Sequence, residues 1–144
     1  MSKKVVFTNG CFDLIHPGHV EILRFAREQG DRLIVGLNSD TSVKRIKGTG
    51  RPLLPLAARR TILESIRYVD EVAVFAEETP INLIEQIRPA ILVKGGDYKP
   101  DEIVGAALVL SYGGRVVLAP YYEEWSTTKL VERLIGKSLN GRFR

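Results

Sequence analysis

Five short apolar runs recur along the chain, separated by longer stretches in which apolar residues return every three or four positions. The runs are Val5-Val6-Phe7, Leu33-Ile34-Val35-Gly36-Leu37, Val72-Ala73-Val74-Phe75, Ile91-Leu92-Val93 and Val116-Val117-Leu118-Ala119. None alternates with polar residues, so each reads as a strand buried on both faces, the pattern of a parallel sheet covered by helices. Between the first two runs, Val20, Ile22, Leu23 and Ala26 are apolar while Glu21, Arg24, Arg27 and Glu28 are charged. That spacing predicts a helix entered at Pro17, where the missing N–H costs nothing. Asn38-Ser39-Asp40 is an N-cap cluster for a second helix. Residues 55–66 are amphipathic, with Leu56, Ala57, Ile62, Leu63 and Ile66 near one face and Arg59, Arg60 and Glu64 elsewhere. Thr79-Pro80 predicts a helix to about Ile87 with Pro80 at its first position. Asp101 predicts the cap of another, carrying Ile103, Val104, Ala107, Leu108 and Leu110 and stopped by Gly113-Gly114. A last helix opens at Ser126-Thr127-Thr128 and runs through Leu130, Val131, Leu134 and Ile135. Strand, helix, strand within about 35 residues is a βαβ unit, whose crossover is right-handed.

At 144 residues the chain has the length of one ordinary domain, and residues 1–144 are read as such. With 44% hydrophobic and 26% charged residues the composition is globular and not disordered. No apolar run approaches the roughly 20 residues of a membrane span, and Met1-Ser2-Lys3-Lys4 enters a strand with no signal-peptide pattern. Cys11 is the single cysteine, which excludes an intramolecular disulfide and suits a cytoplasmic protein. A net charge of +4 fits a small anionic substrate as well as it fits nucleic acid.

The chain has only two histidines, and both fall in His16-Pro17-Gly18-His19, at the carboxyl end of the first strand and the start of the first helix. Free backbone N–H groups and the positive helix end make that position suitable for phosphate. Zinc pairs on helices usually sit four apart as H-E-x-x-H, and no cysteine cluster is present, so a metal site is the weaker reading. Imidazoles that donate to phosphate oxygens near neutral pH fit better.

Three further stretches point the same way. Residues 41–60 hold Lys44, Arg45, Lys47, Arg51, Arg59 and Arg60 with no acidic residue, around a loop made by Gly48, Gly50, Pro52 and Pro55. Flexible cations there can close over a triphosphate; no aromatic residues interleave with them, which speaks against nucleic acid. Lys94-Gly95-Gly96-Asp97-Tyr98 follows the fourth strand, with glycines that allow close approach, Asp97 for a hydroxyl and Lys94 for a phosphate. Should the strand order be 3-2-1-4-5, this turn and the histidine loop share one crevice at the topological switch point. Pro120 to Trp125 is an aromatic and acidic loop open to a substrate or a partner subunit, and Ser126-Thr127-Thr128-Lys129 offers hydroxyls and a cation at a helix start. The basic tail from Lys137 to Arg144 reads as a frayed end or an interface arm.

Gly10-x-Phe12-Asp13-x-x-His16-x-Gly18-His19 resembles the H-x-G-H signature of the cytidylyltransferase-like nucleotidyltransferase superfamily. Ser126-Thr127-Thr128-Lys129 resembles that family's second signature, although Trp125 precedes the serine and no arginine stands two residues after Lys129. The resemblance implies a Rossmann-like three-layer α/β fold, a five-stranded parallel sheet of order 3-2-1-4-5 with helices on both faces. It implies transfer of a nucleoside monophosphate from a triphosphate to a phosphate-bearing acceptor, with Mg²⁺ carried on the nucleotide and with no metal ligands in the protein. His16 and His19, with Lys44 and Lys47, are the implied catalytic residues. Thr8, Asn9, Gly10, Cys11, Phe12, Asp13, Gly18, Lys94, Gly95, Asp97, Ser126, Thr127, Thr128 and Lys129 are implied to hold the nucleotide, and Asn38, Arg51 and Tyr98 to meet the acceptor. Asp13 orients a histidine or the metal's water on this reading; a loop-capping carboxylate is the equal alternative.

Within the superfamily, Phe7 to His19, Asn38-Ser39-Asp40, Arg51-Pro52, Thr79-Pro80 and Val93 to Tyr98 are similar to the adenylyltransferase group of ADP-heptose synthesis. That group often carries a sugar-kinase domain in front, which for a chain starting at the transferase strand is expected on a separate protein. The implied reaction joins AMP from ATP to D-glycero-β-D-manno-heptose 1-phosphate, towards lipopolysaccharide or another surface glycan, in a cytoplasmic homodimer. A cytidylyltransferase for glycerol 3-phosphate or a similar alcohol phosphate shares both signatures and is the alternative. A nucleotide-sensing or nucleic-acid-binding module is the non-enzyme alternative, disfavoured by the intact histidine pair.

Overall fold

The computed structural model describes residues 3–96, 98–120, 122 and 124–139. Asp97, Tyr121, Glu123 and residues 140–144 of the basic tail lie outside the described residues. Strands β1 (Val5–Gly10), β2 (Arg32–Asn38), β3 (Glu71–Phe75), β4 (Ile91–Lys94) and β5 (Arg115–Leu118) form one sheet of order β3-β2-β1-β4-β5, parallel throughout. The helices are α1 (Pro17–Glu28), α2 (Asp40–Lys47), α3 (Leu56–Glu64), α4 (Ile81–Ile87), α5 (Ala106–Ser111) and α6 (Thr127–Leu139), with a 3₁₀ turn at Pro100–Glu102.

The period of two along each strand explains why the apolar runs are unbroken. Val6, Leu33, Val35, Leu37, Ile91 and Val93 point to one face, where Leu23 and Ala26 of α1 and Leu63 of α3 cover them. Phe7, Ile34 and Leu92 point to the other, against Ile84 of α4 and Ala106 and Val109 of α5. Neither face is left for water, so neither can be polar. Because β1 pairs with β2 on one side and β4 on the other, the chain's crossovers run in opposite directions from β1, and a crevice opens at the strands' carboxyl ends.

Two helix starts differ from the sequence reading. Pro80 is the N-cap of α4 and not its first residue. No helix begins at Asp101: a 3₁₀ turn takes its place, and α5 starts only at Ala106. Gly105 causes the break. It adopts φ 89°, and a Cβ there would come 2.5 Å from Ile84 Cδ1, so the chain turns left-handed where a side chain has no room. Ile103, Ala106 and Val109 are buried in consequence, while Val104 and Leu110 remain exposed.

Candidate active site

The loop from β1 to α1 is bent by two residues with positive φ, Phe12 at 48° and Leu14 at 55°. Side chains other than glycine rarely hold that conformation, so the surrounding contacts must enforce it. Between them Asp13 turns inward, 5% exposed. Its Oδ2 accepts the Leu53 N–H at 2.6 Å and its Oδ1 the Leu54 N–H at 3.0 Å. Loop capping is thus a role that Asp13 fills in the fold, each oxygen accepting one N–H of the 48–55 loop while the residue also lines the cleft described below.

His16 is the N-cap of α1, and its N–H donates to His19 Nδ1 at 3.2 Å. A nitrogen that accepts carries no proton, so neutral His19 holds its proton on Nε2. Burial, with His16 adding a second push, lowers the His19 pKa to about 4, and burial lowers that of His16 as well. Both rings are thus neutral donors near pH 7. They stack at 3.8 Å between centroids and 24° between planes, with Phe12 5.4 Å from His19 and Trp125 6.0 Å from His16. His16 Nδ1 is buried and has no hydrogen-bond partner among the described residues. Gly18 makes the arrangement possible, since a Cβ on it would lie 2.9 Å from His16 Cε1 and 3.0 Å from Trp125 Cβ.

The histidines stand in a cleft of about 740 Å³. Of the sequence candidates, Asn9, Gly10, Cys11, Phe12, Asp13, His16, Gly18, His19, Asn38, Lys47, Arg51, Lys94, Gly95, Tyr98, Ser126, Thr127 and Thr128 line it. Three described candidates do not. Thr8 is 2% exposed inside β1, too far down the strand to reach the opening. Lys44 is turned away from the cleft wall that Val43, Ile46 and Lys47 make, because a helix brings Lys47 back above Val43 after four residues and rotates Lys44 off that line. Lys129 stands one residue beyond the lining; its N–H donates to Ser126 Oγ at 3.0 Å, a helix cap. Lys94 Nζ lies 5.4 Å from the centre of the Tyr98 ring, and burial pulls its pKa below the usual lysine range, with Lys47 repelling it further. Burial raises the Cys11 thiol, so Cys11 is not poised as a nucleophile.

The sequence reading left two supporting groups unassigned, Arg59 and Ser42, and gave a third, Thr127, to the nucleotide. Arg59, placed there on the polar side of its helix, is fully buried. It donates to the carbonyls of Leu54 (2.9 Å), Cys11 (2.8 Å) and Asn38 (2.8 Å) and to Asp40 Oδ1 (2.7 Å), tying four segments of the site together. Ser42, also fully buried, accepts from Asn38 Nδ2 at 3.0 Å and donates to the Glu77 carbonyl at 2.6 Å, which fixes the wall carrying Glu78 and Thr79. Thr127 Oγ1 donates to the Asp13 carbonyl at 2.7 Å and so latches the start of α6 onto the histidine loop. The spacing Leu56-Arg59-Leu63 is a signal for the first; nothing local in the sequence marks Ser42, and the hydroxyls at 126–128 mark Thr127 without showing its contact with Asp13.

A neutral donor pair, three cations and a helix start with hydroxyls, all around one crevice, can align a polyphosphate and neutralise charge as it develops. The family model described as cytidylyltransferase-like matches residues 7–133. The bifunctional protein HldE of Geobacter sulfurreducens is 54% identical over 92% of the chain, and that of Syntrophotalea carbinolica 52% identical over 96%. The chain spans only 27% and 28% of those relatives. Among solved structures, a lipopolysaccharide core biosynthesis protein from Thermoplasma volcanium superposes with a TM-score of 0.71 at 24% identity, over 85% of this chain and 100% of that one. A pantoate-β-alanine ligase from Francisella tularensis gives a TM-score of 0.57 at 17% identity, over 82% of this chain and 59% of the other. These two likenesses concern the fold.

Proposed function

The chain belongs to the cytidylyltransferase-like family, and from that membership we propose that it transfers AMP from ATP to D-glycero-β-D-manno-heptose 1-phosphate, releasing pyrophosphate. Identity above 50% to bifunctional HldE proteins over nearly the whole chain supports the choice within the family. The observation that carries the chemistry is the neutral, stacked His16–His19 pair facing a cleft whose cations are Lys47, Arg51 and Lys94.

An anionic oxygen of the acceptor phosphate attacks the α-phosphorus, the bond from that phosphorus to the bridging oxygen breaks, and pyrophosphate leaves with the bond's electrons. The attacking oxygen is already ionised and the leaving group is a stable anion, so no strong base or acid is required. The site's work is alignment and charge neutralisation. His19 donates from Nε2 to an α-phosphate oxygen and His16 flanks it; Lys47, Lys94 and the hydroxyls of Ser126 and Thr128 hold the β and γ phosphates, while Thr127, whose hydroxyl proton goes to the Asp13 carbonyl, keeps that turn in place. Asn9, Gly10, Cys11 and Phe12 line the nucleotide's place, and Asn38, Arg51 and Tyr98 meet the acceptor. Mg²⁺, carried on the triphosphate as part of the co-substrate, would neutralise part of its charge. Among the described residues no group of three His, Cys, Asp or Glu side chains is suited to a metal.

The protein is further proposed to act as a cytoplasmic homodimer, consistent with the exposed Val104 and Leu110; no described helix is long and apolar enough to cross a membrane. Pyrophosphate release is measured with ATP or CTP against heptose 1-phosphate or glycerol 3-phosphate, with Mg²⁺ present. Turnover confined to ATP and the heptose phosphate is the expected result. Turnover with CTP and glycerol 3-phosphate would overturn the substrate assignment and keep the site, and silence in all four would overturn the reaction.

A further inference from the structure

We propose that Trp125 is a positioning residue of this site: its indole, stacked on His16, sets the plane in which that imidazole meets the reacting phosphate. The two histidines are held by different means. His19 is fixed by a hydrogen bond, its Nδ1 accepting from the His16 N–H. His16 is 9% exposed and its Nδ1 makes no hydrogen bond among the described residues. Its rotation is thus set by packing against two rings, His19 at 3.8 Å between centroids and Trp125 at 6.0 Å, the latter tilted by only 16°.

The indole is well placed to act this way because its own backbone is anchored. The Trp125 N–H donates to the Tyr122 carbonyl at 3.2 Å, and two residues later Thr127 Oγ1 donates to the Asp13 carbonyl at 2.7 Å. Asp13 is itself held by Leu53 and Leu54. Trp125 and His16 are therefore located by one connected set of bonds, and Gly18 clears the space in which they meet. Trp125 is also the point where this chain departs from the signature around its Ser-Thr-Thr-Lys turn. A residue there without an aromatic face would leave the outer side of His16 open. A ring free to turn loses the near-attack geometry on which alignment catalysis depends, and a displacement of about 1 Å can cost on the order of 10²-fold in rate.

The inference rests on the proposed reaction, so wild type is assayed beside W125A, W125L and W125F by pyrophosphate release with ATP and heptose 1-phosphate. W125A is expected to lose on the order of 10²-fold in kcat with KM for ATP changed by less than about threefold, and W125F to recover most of the loss. W125L, which keeps part of the apolar bulk without an aromatic face, takes the place of W125A should circular dichroism find the latter unfolded. With two histidines in the chain, the two imidazole Hε1 resonances give a reading independent of turnover: loss of the indole ring current moves the His16 signal more than that of His19. Wild-type turnover with W125A and W125L kcat within about threefold overturns the positioning role while leaving the reaction intact. So does a rise in KM as large as the fall in kcat with no rescue by phenylalanine, which marks a nucleotide platform instead. Absence of wild-type turnover overturns the reaction, and this role with it.

Discussion

Truncating Arg59 tests whether the site is held up by one buried guanidinium. The side chain is fully buried and makes four hydrogen bonds, three to carbonyls and one to Asp40. The Asp40 side chain is 48% exposed, so water takes over its solvation once the partner is gone and that ion pair contributes little by itself. The carbonyls of Cys11, Asn38 and Leu54 are the larger matter. Each buried acceptor left without a donor costs about 1–3 kcal/mol, reduced where water fills the vacated volume. Together with the lost packing, R59M is expected to cost about 3–5 kcal/mol, the range for breaking a buried charged network from one side. Against a total stability of about 5–15 kcal/mol that is roughly a fifth or more. R59K keeps the charge, but a single ammonium cannot reach carbonyls that the fork serves on several sides, so an intermediate loss is expected. Urea unfolding of the three proteins at pH 7 measures the differences. R59M within 1 kcal/mol of wild type would refute the reasoning, because methionine fills similar volume and the only thing missing would be the donors.

Other expectations follow from the same geometry. The folded pKa of His19, about 4, lies below the ordinary 6.5, so between those values the unfolded chain binds more protons. Stability is therefore intact above about pH 6.5 and falls as pH drops toward 4, by at most roughly 3 kcal/mol; unfolding of wild type and H19Q at pH 7 and 4.5 should show a smaller pH dependence in the variant. Lys47→Met should raise KM for ATP or lower kcat at least about tenfold, while Lys44→Met, outside the cleft, should stay within about threefold, as steady-state kinetics will record. Asp13→Asn keeps one acceptor oxygen for two N–H groups and should cost about 1–3 kcal/mol in urea unfolding. Equal turnover losses in Lys44→Met and Lys47→Met would contradict the orientation of α2.

The sheet was legible because its three central strands are buried on both faces, which leaves an unbroken apolar run as the local signature, and because Pro17 marks a helix start at the end of the first of them; the edge strands β3 and β5 keep the apolar run although Val74 and Leu118 are exposed. Periodicity also contained more than a reading of residue types extracts from it. Leu56, Arg59 and Leu63 are spaced by three and four, so Arg59 occupies the buried stripe of α3 despite its charge; the rule that arginine faces water concealed what the spacing stated. Lys47 follows Val43 by one turn and Lys44 does not, which separates two lysines that composition treats alike. Contacts between distant segments were not legible by any local rule. Trp125 meets His16 across more than 100 residues, and Thr127 meets Asp13 likewise. Asp13 lies between the two cases. Its two readings could be separated only by asking where the backbone N–H groups of Leu53 and Leu54 find acceptors, since a loop flanked by Pro52 and Pro55 has no ladder to supply them. The carboxylate beside the histidines answers that need with both of its oxygens. The cations and neutral imidazoles it helps to position are what face the cleft, an arrangement suited to a reaction that needs alignment and charge neutralisation rather than proton transfer.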